Sequence, residues 1–313
     1  MINFRFHLAS LIAIFLALAL GVVVGAGVID RSVVDTLNGR LDSVESKADR
    51  IEGENDVLRG EVGELTDAIS AMECPAVNNT LLAEDVGIVA VRGVDPEPVQ
   101  KTIAAAACGG GMVTGTLWLE DNWALANDED VTAMAQAVGS TSKRKETVRT
   151  AAWKQLVERL QSPPPPGDLS TDFLTTLEDA GFVSFEPQGE DGAPISQFPQ
   201  RSASMLLVVG NNADVPDTDV VMPAATAFVA AGVPLVVAEI YAAGDDAPPR
   251  GEALVSLRDS LLGKSVSTVN DLDRPEGPTT VVLALAGLRL AQPQVGHYGI
   301  DEDGITLLPD LSQ

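Results

Sequence analysis

Metal centres, activated nucleophiles and phosphate loops each leave a recognisable spacing, and this chain of 313 residues can be searched for them. Cys74 and Cys108 stand too far apart for a Cys-x-x-Cys site, and neither has a histidine beside it. The six methionines form no Met-x-Met or Met-x-x-Met cluster of the kind a soft Cu(I) ion prefers. His7 flanks an apolar segment, which leaves His297 as the other histidine, within Gly296-His297-Tyr298-Gly299. That motif reads as a compact, hydrogen-bonded structural turn in preference to half of a catalytic pair. No Gly-x-Ser-x-Gly elbow occurs, and 45 acidic residues offer no reason to single out one carboxylate as a base. No catalytic, metal-binding or cofactor-binding residue is therefore assigned, no cofactor is expected, and the chain does not read as an enzyme.

Nucleotides and nucleic acids fare no better. Gly109-Gly110-Gly111 follows a helix and precedes a strand, the reverse of the strand–loop–helix order of a phosphate loop, and reads as a helix stop. Gly210-Asn211-Asn212-Ala213-Asp214 lies at the correct end of a strand for a ligand crevice. It has neither Gly-x-Gly-x-x-Gly nor a P-loop Lys-Ser/Thr. A formal net charge of −25 and a single short basic cluster, Lys143-Arg144-Lys145, give phosphate backbones nothing to bind.

The organising pattern lies elsewhere. From Val34 to Met72 apolar residues recur at alternating steps of three and four, a heptad repeat. Position a is Val34, Leu41, Ala48, Asn55, Val62 and Ile69; position d is Leu37, Val44, Ile51, Leu58, Leu65 and Met72. A repeat of 3.5 drifts off one face of a straight helix, so a coiled coil is favoured over a helix packed on its own domain. In a parallel pair, g faces the next e of the partner: Arg40 with Glu45, Lys47 with Glu52, Glu54 with Arg59, all of opposite sign. Asn55 at a bonds its twin only in register, which also selects a parallel homodimer. Cys74 falls at f, outside the seam. An intrachain Cys74–Cys108 disulfide is thus favoured over a bond between twin Cys74 residues, as suits an exported region.

Leu8 to Ile29 carry no charge and are enough to cross about 30 Å of hydrocarbon. The run exceeds the apolar core of a cleaved signal peptide, so an uncleaved signal anchor is expected. Arg5 and His7 before it place the N-terminus in the cytoplasm and the bulk outside. The coil is expected to end at Pro75, which lacks a backbone donor.

Beyond Leu81 short Val/Leu-rich runs alternate with helical segments. Strands are expected at Val86–Val91, Met112–Leu119, Phe182–Phe185, Met205–Val209, Leu235–Glu239 and Val266–Val269. Helices are expected near Pro96–Cys108, Asp128–Val138, Glu146–Leu160, from the cap Ser170 to Gly181, Asp219–Ala231, Arg250–Leu262 and Thr280–Leu288. This is the signature of an α/β domain with a mostly parallel, Rossmann-like sheet. The predicted divisions are a transmembrane anchor at 1–30, a coiled coil at 31–75 and an exported domain at 76–313. A further boundary stays open near 162–168, at the tetraproline Pro163–Pro166.

The order of these parts resembles an actinobacterial envelope family. The resemblance rests on Leu-Ala-x-Ala-Leu-Gly-Val-Val-x-Gly (Leu16–Gly25), Val-Ser-Thr-Val (Val266–Val269), Gly-His-Tyr-Gly (Gly296–Gly299) and Leu-Leu-Pro (Leu307–Pro309). The family is the MctB copper-transporter type, and one relative is described as SteB, partner of SteA in septum-linked wall assembly. The copper label implies transport through an outer membrane. The SteB-like resemblance implies a plasma-membrane scaffold with a SteA-like membrane partner and a regulated cell-wall hydrolase. One apolar span and α/β strands of about five residues do not suit a pore, since barrel strands need about 9–11. The scaffold is the expectation, with a copper channel component as its alternative.

Overall fold

The computed structural model describes residues 4–28, 30–161, 172–189, 192, 194–198, 204–300 and 306–310. The tetraproline, the cap Ser170 and Ile29 at the end of the span lie outside the described residues. The chain divides into two compact units, Met1–Leu65 and Thr66–Gln313.

The first unit is helical. Helix α1 (Phe4–Val28) contains Phe4–Gly25, long and apolar enough to cross a membrane, with no part of that window buried within the protein. Helix α2 (Asp30–Val77) runs 48 residues without a break, or about 72 Å at 1.5 Å per residue. Its stretch from Thr66 onward belongs to the second unit. Pro75 does not end it, contrary to expectation: the helix continues to Val77. Proline removes one intrahelical bond, and here the last turn is held from outside. Val77 is fully buried, Thr80 donates its backbone N–H and hydroxyl to the Val77 carbonyl at 3.0 and 2.7 Å, and Cys74 is disulfide-bonded.

The second unit is built on one sheet. Its elements after α2 are β1 (Val86–Val91), α3 (Pro96–Cys108), β2 (Gly115–Leu119), α4 (Asp128–Ala137), α5 (Lys145–Leu160), α6 (Phe173–Asp179), β3 (Val183–Pro187), β4 (Ser204–Gly210), α7 (Asp217–Ala231), β5 (Leu235–Ile240), α8 (Glu252–Arg258), β6 (Ser267–Val269), α9 (Gly277–Leu288) and β7 (His297–Tyr298). The seven strands lie in the order β3-β2-β1-β4-β5-β6-β7. Only the β2–β3 pair is antiparallel; the other neighbours are parallel. The expected α/β class and mostly parallel sheet are therefore present.

Alternate strand residues face two separate cores. Val89, Leu117, Leu207 and Val237 join the helices α4–α8, while Ile88, Trp118, Leu206 and Val236 join α3 and α9. Burial on both faces is why the central strands read as unbroken apolar runs instead of alternating ones. Each fully buried side chain of this size contributes about 1.5–3 kcal/mol.

Several assignments differ from the sequence expectation, among them α9, which opens at Gly277 and not Thr280. The strand expected from Met112 begins at Gly115, with Met112 making only an isolated bridge to Asp85. The helix expected over Arg250–Leu262 shortens to Glu252–Arg258. Arg250 is drawn to Asp273, and Ser260 caps a separate 3₁₀ turn, Leu261–Lys264. The Gly-His-Tyr-Gly motif is not a turn: His297 and Tyr298 form an edge strand that pairs with β6. Thr306 meets its outer side through a bridge to Tyr298.

A buried ion pair ties the helical excursion between β2 and β4 together. Arg159 on α5 and Asp172 before α6 are 8% and 2% exposed and bond each other through both carboxylate oxygens. Arg159 also donates to the carbonyls of Ser196 at 2.7 Å and Phe198 at 3.3 Å.

Candidate functional site

Most seam residues of α2 stand exposed among the described residues. Leu37, Leu41, Val44, Ile51, Leu58, Val62, Leu65 and Met72 are all more than half exposed, and Ala48 and Asn55 are exposed as well. The side chain of Val34 lies outside the described ones. Ile69 departs from the row. With Thr66, Glu73 and Val77 it forms a less exposed stripe at steps of three and four, the face turned into its own unit.

Of the six charges read as interchain partners, Arg40, Glu45, Lys47 and Glu52 stand exposed along α2. The remaining two make neighbours within the helix: Glu54 accepts from Arg50 at 3.3 Å, and Arg59 donates to Asp56 at 3.1 Å. Exposed pairs of this kind are worth well under 1 kcal/mol and exchange partners readily.

Where α2 meets the domain, Cys74 and Cys108 form a disulfide with Cα atoms 5.0 Å apart. It joins the last turn of α2 to the last residue of α3. Beside it, burial raises the Glu73 pKa, against the pull of Lys101.

The family motif near the C-terminus is a structural edge. Thr268 Oγ1 accepts from Arg258 Nε at 2.9 Å and lies 3.0 Å from His297 Nδ1. The hydroxyl has one proton and two acceptor sites, so it pairs with Nδ1 in either tautomer of a neutral ring. Burial, with Arg258 nearby, lowers the His297 pKa in the same sense. Gly299, at φ +123°, gives Asn270 room: a Cβ there would sit 1.9 Å from Asn270 Oδ1. The Asn270 amide uses that room to bond the Ile300 N–H at 2.9 Å and the Ile300 carbonyl at 3.0 Å.

The strand order makes the crevice beyond β1 and β4 the expected ligand site of such a sheet. Here it is shut. Gly93, at φ +95°, lies so close to the next loop that a Cβ would fall 2.4 Å from the Asn212 carbonyl oxygen, and Asp214 donates its N–H to the Arg92 carbonyl at 2.7 Å. The first turn of α3 carries the cap Asp95 and Glu97, so its N-terminus is already matched by acid.

One strand over, at the ends of β4 and β5, a cavity of about 280 Å³ opens between α7 and α8. Asn211, Asp217, Glu239 and Glu252 line it. Glu239 is 1% exposed, and its Oε2 accepts the Gly251 N–H at 2.5 Å. Burial lifts its pKa to about 7; the Gly251 bond opposes this, Asp217 adds to it, and Arg250 and Arg258 oppose it. Burial lifts Asp217 to about 6. Asp271, fully buried after β6, is lifted to about 6 by burial and by Glu276. None of these three was singled out from sequence. The available signal was a charge closing an apolar strand, Leu235–Ile240, at the edge where α/β sheets hold ligands.

A raised carboxyl pKa fixes the sign of a pH effect. As pH climbs, the unfolded chain releases the Glu239 proton near the ordinary 4.5, whereas the folded chain holds it to about 7. Stability from this group is thus lost between those two values and stays low above them. Glu239→Gln is expected to stabilise the protein at pH 8 by on the order of 2 kcal/mol, and to have no effect near pH 4. Urea melts at the two pH values measure this. A destabilised variant at pH 8 would mean that the carboxylate is held by its neighbouring charges.

Among the described residues, no group of three or more His, Cys, Asp or Glu side chains is gathered as a metal site. The sequence is 26% identical over 312 residues to the copper transporter MctB of Mycobacterium tuberculosis (strain ATCC 25618 / H37Rv), covering 96% of each chain. It is 27% identical over 314 residues to the copper transporter MctB of Mycobacterium leprae (strain TN), again over 96% of each. The family profile described as "Copper transport outer membrane protein, MctB" matches residues 1–309, and the chain belongs to the MctB family.

Proposed function

We propose that this chain is a membrane-anchored envelope scaffold that works as a parallel homodimer through the coil of α2. The observation carrying the reading is the row of exposed apolar side chains from Leu37 to Met72 on an uninterrupted helix. Leaving so long an apolar stripe in water is unfavourable, and a second copy in register covers it. Asn55 then meets its twin, and Arg40–Glu45, Lys47–Glu52 and Glu54–Arg59 become cross-chain pairs. In this reading α1 anchors the chain in the plasma membrane with its N-terminus in the cytoplasm, and the α/β unit lies outside. A SteA-like membrane protein and a regulated cell-wall hydrolase are the partners that the SteB-like resemblance suggests.

Single cysteines at Leu58 or Leu65, in a chain lacking Cys74 and Cys108, are expected to crosslink to their twins in membranes. A monomeric or antiparallel helix would give no such product. Pull-down from membranes with and without residues 34–72 then tests the partner: loss of a wall hydrolase or its regulator with the deletion supports the scaffold.

The copper reading rests on the description of the family and on the names of the mycobacterial relatives. Copper would be cargo, carried by this chain as a component of a larger channel. Cu(I) titration of the purified chain separates the two, and tight stoichiometric uptake would overturn the preference for a scaffold.

A further inference from the structure

Two demands fall on one residue near the end of α2. Ile69 is the last a position of the heptad repeat, and it also belongs to the less exposed stripe of Thr66, Ile69, Glu73 and Val77 that faces its own unit. The d positions on either side, Leu65 and Met72, stay 64% and 68% exposed. The bare seam is thus interrupted at Ile69 by the chain's own domain.

The joint that holds Ile69 there has a weak side and a latch. Glu73 Oε1 is buried without a hydrogen-bond partner among the described residues, a cost that access to water would relieve. Pro75 has no N–H for the Ala71 carbonyl, so the helix lacks a bond beside Cys74 and can bend there. Beyond the proline the chain is fixed: Val77 is fully buried, and its carbonyl accepts both bonds from Thr80. The stretch before the proline is pinned by the Cys74–Cys108 disulfide, which reaches the last residue of α3. Cys74 is exposed and Cys108 half-buried, and exposed disulfides are the ones that reductants reach and that serve regulation.

We propose that this disulfide is a redox latch on the coil: when it is reduced, α2 pivots at Pro75, residues 66–74 leave the domain, and Ile69 joins Met72 in the seam with their twins. The inference rests on the parallel dimer proposed above and adds its regulation. The reductant is a dithiol. One of its thiolates attacks Cys74 Sγ, the bond to Cys108 breaks, and Cys108 leaves as a thiolate that takes a proton. The second thiol then closes on the first and releases Cys74 as a thiol. Two electrons and two protons pass to the protein, and the reductant ends as a disulfide.

The test is sedimentation of the full chain in density-matched detergent, oxidised and after treatment with dithiothreitol. Reduction is expected to tighten the dimer at least about tenfold, through burial of Ile69 from both chains. The gain is expected to vanish in Ile69→Ala, whose oxidised dimer matches the parent's. Cys74→Ser with Cys108→Ser is expected to hold the tighter dimer with or without the dithiol. Fluorescence of Trp118, Trp123 and Trp153, all buried in the domain, is expected to stay native throughout. Equal dimer affinity in the two redox states would overturn the latch and leave the coiled-coil dimer standing. Absence of a dimer in both states would overturn the two together. A full gain in Ile69→Ala, or a domain that unfolds on reduction, would also overturn the latch.

Discussion

Asp172→Ala is expected to cost on the order of 3–5 kcal/mol of stability, a large fraction of what a domain of this size has to lose. The reason is the partner left behind. Arg159 is 8% exposed and also donates to the carbonyls of Ser196 and Phe198, so removing the carboxylate takes away the anion that matches a cation in a nearly dry site. An ion pair replaced on both sides by apolar groups behaves differently, because neither charge remains to be solvated. Asp172→Leu with Arg159→Met is therefore expected to recover most of the loss. Urea denaturation of the two variants beside the parent measures both effects. A loss under 1 kcal/mol for Asp172→Ala would mean that water reaches Arg159 and the pair is effectively a surface one.

Removal of the disulfide is the second large effect. Cys74 and Cys108 are separated by 34 residues, and releasing a loop of that size is expected to cost about 4 kcal/mol through the entropy of the unfolded chain. The loss is expected to be distributed unevenly. The final turns of α2, whose helix contains Pro75 and whose inward stripe is Ile69, Glu73 and Val77, depend on the bond more than the sheet does. Hydrogen exchange on a Cys74→Ser, Cys108→Ser chain should show protection lost first over residues 66–77 while β1, β4 and β5 keep theirs. Uniform loss across the sheet would place the bond in the folding core instead.

These features were unequally legible in the sequence. Buried parallel strands announce themselves as unbroken Val/Leu runs, so β1, β4 and β5 fall within a residue or two of their expected positions. The ends of elements were harder, because partners distant in sequence decide them: Asp273 takes Arg250 out of α8, and the disulfide with Thr80 carries α2 past Pro75. Gly-His-Tyr-Gly looked like a turn because glycines flank it. Only the presence of β6 alongside, with Asn270 needing space at Gly299, turns it into a strand. The acidic cavity was not legible. Glu239 and Asp217 are two among 45 acidic residues, and only the crossover from β4 through α7 to β5 brings them to one opening.

The outer margins of the sheet bear on the proposed dimer. A bare strand edge is a template, and two copies tied by a coil would present such templates to each other at millimolar effective concentration. One margin here is β7, two residues long and already met by Thr306. The other is β3, antiparallel to its neighbour and ending in Pro187, which has no N–H to offer. Neither gives a second sheet enough to grow on. The domain thus offers little strand edge on which further copies could polymerise.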